Sequence, residues 1–474
     1  MQDKCGVVGV QLSDTASENS AALPVYYALY ALQHRGQEGA GIVTCDGFQQ
    51  HSKKGLGLVA DVFDEDDMGD LPGDSGIGHI RYPTSGKIDE KSCHPFTVTS
   101  KQGSIALGHN GNLVNTDSIR DDLESLGHAF TTESDTEVMV HDLSRNLLDN
   151  DLLEAIERSM RKIDGAYSIT MMHNDTVIGI RDPLGIRPLC IGKLDEGYII
   201  ASESVAIDVL DGDFVRDVRP GEVVVLDDDG KGFESYQLFE KQPAHCFFEY
   251  VYFARPDSEI DGRLVYDMRR KLGRLLYERH GVDTDIVSPV PDSGRAFATG
   301  YAEAGDIEYA ESLMKNRYVG RTFIMPTQDA RETAVRLKLN TIASNIEGKT
   351  VTLIDDSVVR GTTSNQLVKL LKDNGAEEVH MRIGSPPIIS PCYLGINMAS
   401  RDELMASDKS VAEIRDEIGA DSLEYLDVAD ISEALDMPKS EMCTGCVTEE
   451  YPMNIEGEIC GRCSSASDVE VADD

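Results

Sequence analysis

Residues Thr350 to Ser364 read TVTLIDDSVVRGTTS. Thr350–Ile354 is a short apolar run rich in β-branched side chains, the pattern of a buried strand. It stops at Asp355-Asp356, passes through a polar turn to Gly361, and opens a helical stretch at Thr362-Thr363-Ser364 that continues over Asn365–Asp373. Gly375 closes that helix, and Val379–Ile383 is a second apolar run. Strand, helix and strand in this order make a βαβ unit, and therefore a parallel sheet with helices on its faces. At the end of such a strand, carboxylates accept hydrogen bonds from ribose hydroxyls. Main-chain N–H groups and threonine hydroxyls at the helix start can surround a phosphate. A lone Asp-Asp would be read as an acidic cap on an ordinary βα connection; the whole strand–DD–VVRGTT–helix string favours a sugar-phosphate site.

Upstream, Asp285–Val290 is a strand that runs into Pro291-Asp292-Ser293-Gly294 and then a helix through Ala304. Ligands gather at the carboxyl ends of strands in open α/β sheets, so Asp292 and Ser293 are placed to approach a pyrophosphate and its Mg²⁺, a cation that prefers oxygen ligands and keeps several waters. Between the two loops, Lys315-Asn-Arg-Tyr-Val-Gly-Arg321 and Gln328-Asp-Ala-Arg331 form a basic segment. It is suited to close over a polyphosphate, or is simply a solvated loop with local ion pairs.

The first 240 residues have a different texture, with many short strands: Gly6–Val10, Ala40–Cys45, Tyr167–Met172, Val177–Ile180, Leu189–Ile191, Tyr198–Ala201 and, last before Asp227-Asp-Asp-Gly-Lys, Glu222–Leu226. Asn19–Gln33 reads as a helix with Leu23, Tyr26, Tyr27, Tyr30 and Ala31 on one side. Ser134-Asp-Thr-Glu137 has capping-box spacing ahead of a helix through Leu148. The change near residue 240 marks a domain boundary, and 474 residues hold two or three domains. Residues 464–474 are small, polar and acidic, a composition expected to be disordered.

Lys+Arg 44 against Asp+Glu 84 leave a net charge of −40. A field of that sign repels nucleic acid and argues against a DNA- or RNA-binding role. The acids are dispersed (Asp61–Asp70, Asp211–Asp213, Asp227–Asp229), as on the hydrated surfaces of proteins from salt-loving cells. The start of the chain has no apolar signal core, and Ile383–Ser400, though charge-free, is broken by Pro386, Pro387, Pro391 and Gly395. A cytoplasmic protein without a membrane span is expected, in which ten cysteines suggest metal or catalysis before disulfides.

Four segments of the first half carry chemistry. Cys5 precedes the strand GVVGV; by position alone it is a buried small hydrophobe. His34-Arg35-Gly36 and His79-Ile-Arg81-Tyr-Pro-Thr84 each set an arginine beside a turn, and Gly108-His-Asn110-Gly111-Asn-Leu113 is an Asn-Gly turn. Such a turn can aim a side-chain amide and a main-chain N–H at one point, as an oxyanion hole does. Surface ion pairs and a plain hairpin turn are the alternatives.

Together CGVVGV, QHRGQEGAGI, HIRYPTSG, GHNGNL and TTESDTE resemble the N-terminal-nucleophile glutamine amidotransferases, and VTLIDDSVVRGTTS resembles the phosphoribosyl pyrophosphate (PRPP) loop of type I phosphoribosyltransferases. In this order, from Cys5 to Cys446, they resemble the amidophosphoribosyltransferase family of purine synthesis. The resemblance implies a propeptide 1–4, an αββα N-terminal-nucleophile glutaminase domain over 5–240, and an α/β phosphoribosyltransferase domain with a parallel sheet over 241–463 that includes a C-terminal cluster-binding segment. It also implies roles. Cys5 attacks the glutamine carboxamide with its freed α-amine as base; Asn110 and Gly111 hold the oxyanion. Arg81 pairs with the substrate carboxylate and Asp135 with its ammonium, while Arg35 and Thr84 support the pocket. Ammonia then reaches C1 of PRPP, gripped by Asp355 and Asp356 and held at its phosphate by Ser357, Val358, Val359, Arg360, Gly361, Thr362 and Thr363. Lys315 and Arg321 lie over it, and one Mg²⁺ per subunit is served by Ser293, Asp355 and Asp356. A homotetramer inhibited by purine nucleotides is also implied. A PRPP-sensing regulator and another glutamine amidotransferase of the same nucleophile class are the competing readings.

The remaining cysteines admit two readings. Cys443-x2-Cys446 and Cys460-x2-Cys463, thirteen residues apart, have zinc-knuckle spacing. The iron–sulfur branch of the family instead matches at Cys246 (CFFEYVYFARPDS), Cys392 (SPPIISPCYLGINM), Cys443 and Cys446 (MCTGC), implying one [4Fe–4S] cluster per subunit.

Overall fold

The computed structural model describes residues 5–13, 20–82, 90–227, 230–316, 339–396, 398 and 400–461. Residues 1–4, Thr84, Arg321 and the rest of the basic segment beyond Asn316, Cys463 and the tail from 464 lie outside the described residues.

Among the described residues the first half contributes thirteen strands: β1 (Gly6–Leu12), β2 (Gly39–Cys45), β3 (Gln50–Leu56), β4 (Ser75–Arg81), β5 (Phe96–Ser100), β6 (Gly103–Leu113), β7 (Gly165–His173), β8 (Thr176–Arg181), β9 (Cys190–Leu194), β10 (Gly197–Ala201), β11 (Asp213–Asp217), β12 (Glu222–Leu226) and β13 (Phe233–Gln237). They form two antiparallel sheets, ordered β11-β9-β10-β1-β4-β2-β3 and β13-β12-β8-β7-β6-β5. Val7, Val43 and Ile77 of one sheet meet Ala106, Met172, Val177 and Val224 of the other in a dry interior. Helix Ala22–Ala31 covers the outer face of the first sheet. Helices Thr116–Ser125, Asp135–Asn146 and Leu152–Lys162 cover the second. This is the αββα sandwich expected. With both faces of β1 and β2 covered, every residue in them is buried, which is why they read as unbroken apolar runs.

The side of helix Ala22–Ala31 that carries Leu23, Tyr27 and Tyr30 faces outward, and the opposite side buries Ala22, Val25, Ala28 and Leu29. The small face wins because it seats against glycines of β4: a Cβ on Gly78 would lie 2.4 Å from Val25. Ser134 caps helix Asp135–Asn146 without a capping box, since the Glu137 carboxylate takes the N–H and hydroxyl groups of Thr131 and Thr132 instead (2.6–2.8 Å). Glu222–Leu226 is the last strand before Asp227, as expected; β11 and β13, both polar, were not anticipated, and both are sheet edges, where charge blunts unwanted pairing.

The second half is built on a five-stranded parallel sheet in the order Glu308–Tyr309, Ile286–Pro289, Thr350–Asp355, Glu378–Ile383, Ser422–Tyr425. Helices Val265–His280 and Arg295–Gly305 cross with their backbones nearly touching; a Cβ on Gly273 would sit 1.9 Å from the Phe297 carbonyl oxygen. Only glycine permits that approach. The halves share one core, in which Ala166, Leu184 and Ile186 pack with Phe247, Phe248, Leu272, Phe297 and Leu394. Among the described residues no helix is long and apolar enough to cross a membrane.

Candidate functional site

Cys5 lies just ahead of β1 and donates its thiol to the carbonyl of Tyr82, just past β4 (Sγ···O 3.6 Å). Burial raises the thiol pKa, and Arg81, Asp135 and Arg35 all act on it electrostatically, so three residues expected from different parts of the sequence surround one sulfur. Arg81 ends β4, and its Nη1 is buried without a hydrogen-bond partner among the described residues. Asp135 opens its helix and accepts from the Leu113 N–H (3.2 Å), with His109 Nδ1 at 3.6 Å. Burial opposes its ionisation, but His109 and the Leu113 N–H outweigh that and hold the carboxyl below its ordinary pKa.

Asn110 and Gly111 do not form a turn. They continue β6 and pair with Ser168 and Tyr167 of β7. Asn110 is 1% exposed, yet neither its Oδ1 nor its Nδ2 has a partner among the described residues. An unpaired buried amide costs about 1–3 kcal/mol, a cost that a hydrogen-bonding ligand would relieve.

Arg35 does more than line the pocket. Its Nε donates to the Cys5 carbonyl (3.2 Å), its Nη2 reaches both oxygens of Glu249 (3.0 and 3.1 Å), and its Nη1 pairs with Glu203. Glu203 also holds His34 (2.8 Å), Ser258 (2.6 Å) and the Arg255 N–H (3.0 Å). Glu249 joins Arg187 (3.4 Å), whose Nη2 donates to the Leu394 carbonyl. This buried chain of charge runs from the backbone of Cys5 into the second half. Glu203, Glu249 and Arg187 were not anticipated, although Glu249 stands in the middle of the apolar run Phe247–Phe253, where a charge signals a buried partner.

The second site sits where the parallel sheet reverses its order. From Ile286–Pro289 the chain moves to one neighbour, from Thr350–Asp355 to the other, and the loops after these two adjacent strands flank the crevice. Asp355 ends its strand and is buried beside Asp356; the Asp356 N–H bonds Asp355 Oδ1 (2.9 Å), and Ser357 Oγ donates to Asp356 Oδ2 (2.5 Å). Burial and the neighbouring Asp356 hold the Asp355 pKa well above the carboxylate range. The turn brings Val358 into the core, leaves Val359 half-buried and Arg360 outward against Glu403 (2.5 Å), and reaches Gly361 at φ +69°. Thr362 and Thr363 then stand exposed at the start of helix Thr362–Asp373, where unpaired N–H groups favour an anion. Across the crevice, the turn Pro291–Gly294 carries half-buried Ser293 and exposed Asp292, which pairs with Lys315 (3.0 Å) and Arg295 (2.9 Å).

Cys246, Cys392, Cys443 and Cys446 share one core with each other. Cys246 and Cys443 are direct partners in a two-residue parallel bridge, and the Leu394 N–H donates to Cys392 Sγ (3.4 Å). Burial, and then the other thiols, push Cys443 above and Cys446 well above the ordinary thiol range. Arg187 lies close enough for Cys246, Cys392 and Cys443 to act on it. Among the described residues no three His, Cys, Asp or Glu side chains converge as a preformed metal cage. Cys460 is disulfide-bonded, which removes it from the zinc-knuckle set.

A family model described as a glutamine amidotransferase domain matches residues 84–209. The chain is 50% identical to the amidophosphoribosyltransferase of Archaeoglobus fulgidus over 96% of its own length and 99% of that relative. Two solved structures superpose on nearly all of it. One, of the allosteric regulatory enzyme of purine biosynthesis, gives a TM-score of 0.90 at 43% identity, covering 96% of this chain and 97% of that one. The other is glutamine PRPP amidotransferase from Bacillus subtilis complexed with ADP and GMP, with a TM-score of 0.89 at 42% identity, covering 96% and 99%.

Proposed function

Because the chain belongs to the amidophosphoribosyltransferase family and so catalyses the first step of purine biosynthesis, we propose that Cys5 releases ammonia from glutamine and that the Asp355-Asp356 loop presents PRPP to receive it. Removal of residues 1–4 frees the Cys5 α-amine, whose pKa of about 7.7–8.0 suits a base near neutrality. It takes the thiol proton; the sulfur attacks the carboxamide carbon; the C–N bond breaks and ammonia leaves; water then hydrolyses the thioester to glutamate. Two observations support this reading: the buried Asn110 amide has no partner among the described residues, and Arg81 and Asp135 both act on the Cys5 thiol. Arg81 suits the substrate carboxylate and Asp135, held ionised, its ammonium. Asn110 and the Gly111 N–H bind the oxyanion. The shared apolar core at the junction supports passage of ammonia inside the protein.

At the second site Asp355 and Asp356 accept the ribose hydroxyls and Ser357–Thr363 bind the 5′-phosphate, as the open first turn of helix Thr362–Asp373 supports. Mg²⁺, when bound, neutralises the departing pyrophosphate. Ser293 with the two aspartates would hold it, an oxygen-only set that fits the ion. Lys315 and Arg321 would cover the pyrophosphate. The four thiols sharing the junction core suit a [4Fe–4S] cluster by their chemistry, though they would have to draw together around it: each could supply a thiolate, Leu394 donates an N–H to one sulfur, and Arg187 would offset negative charge. Its role would be structural, tying Cys246 at the junction to the C-terminal segment.

Assembly as a homotetramer, inhibition by purine nucleotides and adaptation to high salt belong to the same proposal; a relative complexed with ADP and GMP supports the second, and a net charge of −40 the third. Pyrophosphate release from PRPP, measured with glutamine and separately with ammonia on anaerobically purified protein of known N-terminus, tests the reading. No glutamine-dependent release from a chain beginning at Cys5 would overturn it. Iron and sulfide content of the same sample decides the cluster.

A further inference from the structure

Two glycines meet back to back across the junction of the halves. Gly111 has φ +155°, and a Cβ there would lie 1.8 Å from the Ala166 carbonyl oxygen of β7. On its other side stands Gly395, with φ +99°, where a Cβ would fall 2.8 Å from both Cα and C of Gly111 and 3.0 Å from Arg187 Nη2. Gly111 is thus wedged between its sheet neighbour and a segment made nearly three hundred residues later. That segment is pinned along its length. Asn112 Nδ2 donates to the Tyr393 carbonyl (2.9 Å), Arg187 Nη2 to the Leu394 carbonyl, and the Tyr393 hydroxyl to Glu458 (2.7 Å). Leu394 and Ile396, on either side of Gly395, are buried. The same segment lines, together with Asp135, a cleft of about 610 Å³.

We propose that Gly395 is a positioning residue for glutamine hydrolysis: the Tyr393–Gly395 segment braces the Gly111 backbone and so fixes the direction of the oxyanion donors of the other half. The inference rests on the reading of Asn110 and Gly111 as the oxyanion hole. Donor direction matters because such groups stabilise the transition state only when they are aimed in advance. An added methyl group at 395 has backbone on one side and a packed guanidinium on the other, so it displaces Gly111.

The test is Gly395→Ala beside Asn112→Ala, which loosens the segment without adding atoms. For Gly395→Ala, glutamine-dependent turnover should fall roughly 100-fold. The glutamine KM, ammonia-dependent turnover and Cys5 alkylation by iodoacetamide should each stay within about threefold. Asn112→Ala should show the same pattern at roughly tenfold. Equal losses with glutamine and ammonia, or unchanged glutamine turnover in both variants, would overturn the proposal. Asn110→Ala separates the premise: full glutaminase activity in that variant sinks the oxyanion reading itself, whatever happens at 395.

Discussion

The two halves handle buried charge in opposite ways. Around Cys5, buried carboxylates are matched by buried cations: Glu203 lies against Arg35, and Glu249 against Arg35 and Arg187. In the second half Asp355 is buried against Asp356, and among the described residues no lysine or arginine pairs with either. Arg269 acts on Asp356 electrostatically but spends its hydrogen bonds on the Tyr250 and Ala254 carbonyls (2.7 and 2.9 Å). The first site is compensated within the fold, whereas the second is not; on the reading proposed above, its missing partners are the hydroxyls of its ligand and Mg²⁺.

This contrast can be broken by substitution. The largest effect belongs to Cys5→Ala, which should lower glutamine-dependent phosphoribosylamine formation by about 10⁴-fold or more while ammonia-dependent formation stays within about threefold. Parallel loss by both routes would show that the halves are not chemically separable. Asp355→Asn and Asp356→Asn should each reduce both routes together by about 1,000-fold, read as pyrophosphate release at saturating ammonia. A loss confined to the glutamine route would reverse the assignment of the loop.

Smaller effects concern stability. Glu249→Gln removes the charge between two buried arginines and should cost about 3–5 kcal/mol in urea unfolding; a loss below about 1 kcal/mol would mean Arg35 and Arg187 are compensated elsewhere. Asp355→Asn should instead stabilise the ligand-free protein, by roughly 1–3 kcal/mol at pH 8. The sign follows from linkage. A carboxyl whose folded pKa is raised stabilises the protein most below its unfolded pKa of about 3.9, and that contribution is lost as pH rises toward the folded value. The advantage of the asparagine should therefore shrink as pH falls toward about 4. Glu203 works the other way: burial disfavours its charge, but His34 and Arg35 outweigh that and lower its pKa, so its contribution fades as pH drops below about 4.5. A melting temperature of Asp355→Asn that tracks the parent at every pH would remove the contrast.

The sequence showed the second fold and its loop clearly because each strand, turn and helix signal there is local and consecutive. Cys5 and Asp135 were also legible, as parts of short strings. Asn110-Gly111 was misread as a turn because an Asn-Gly pair is a strong local signal; pairing along the whole of β7 overrides it. Which side of helix Ala22–Ala31 is buried could not be read from its residues, because that depends on glycines in the facing strand that seat its alanine and valine side. Glu203, Glu249 and Arg187 each stand alone in sequence, and their pairing depends on three segments meeting in space, which no single stretch records.

The meeting of Gly111 and Gly395 also sets an order in time. During synthesis Gly395 emerges 284 residues after Gly111, a delay of roughly 15 to 60 seconds at 5–20 residues per second. A nascent first half can fold its sandwich in that interval, but Gly111 then has nothing to rest on. If Gly395 positions the donors as proposed, glutamine hydrolysis would stay slow until that part of the second half has been made.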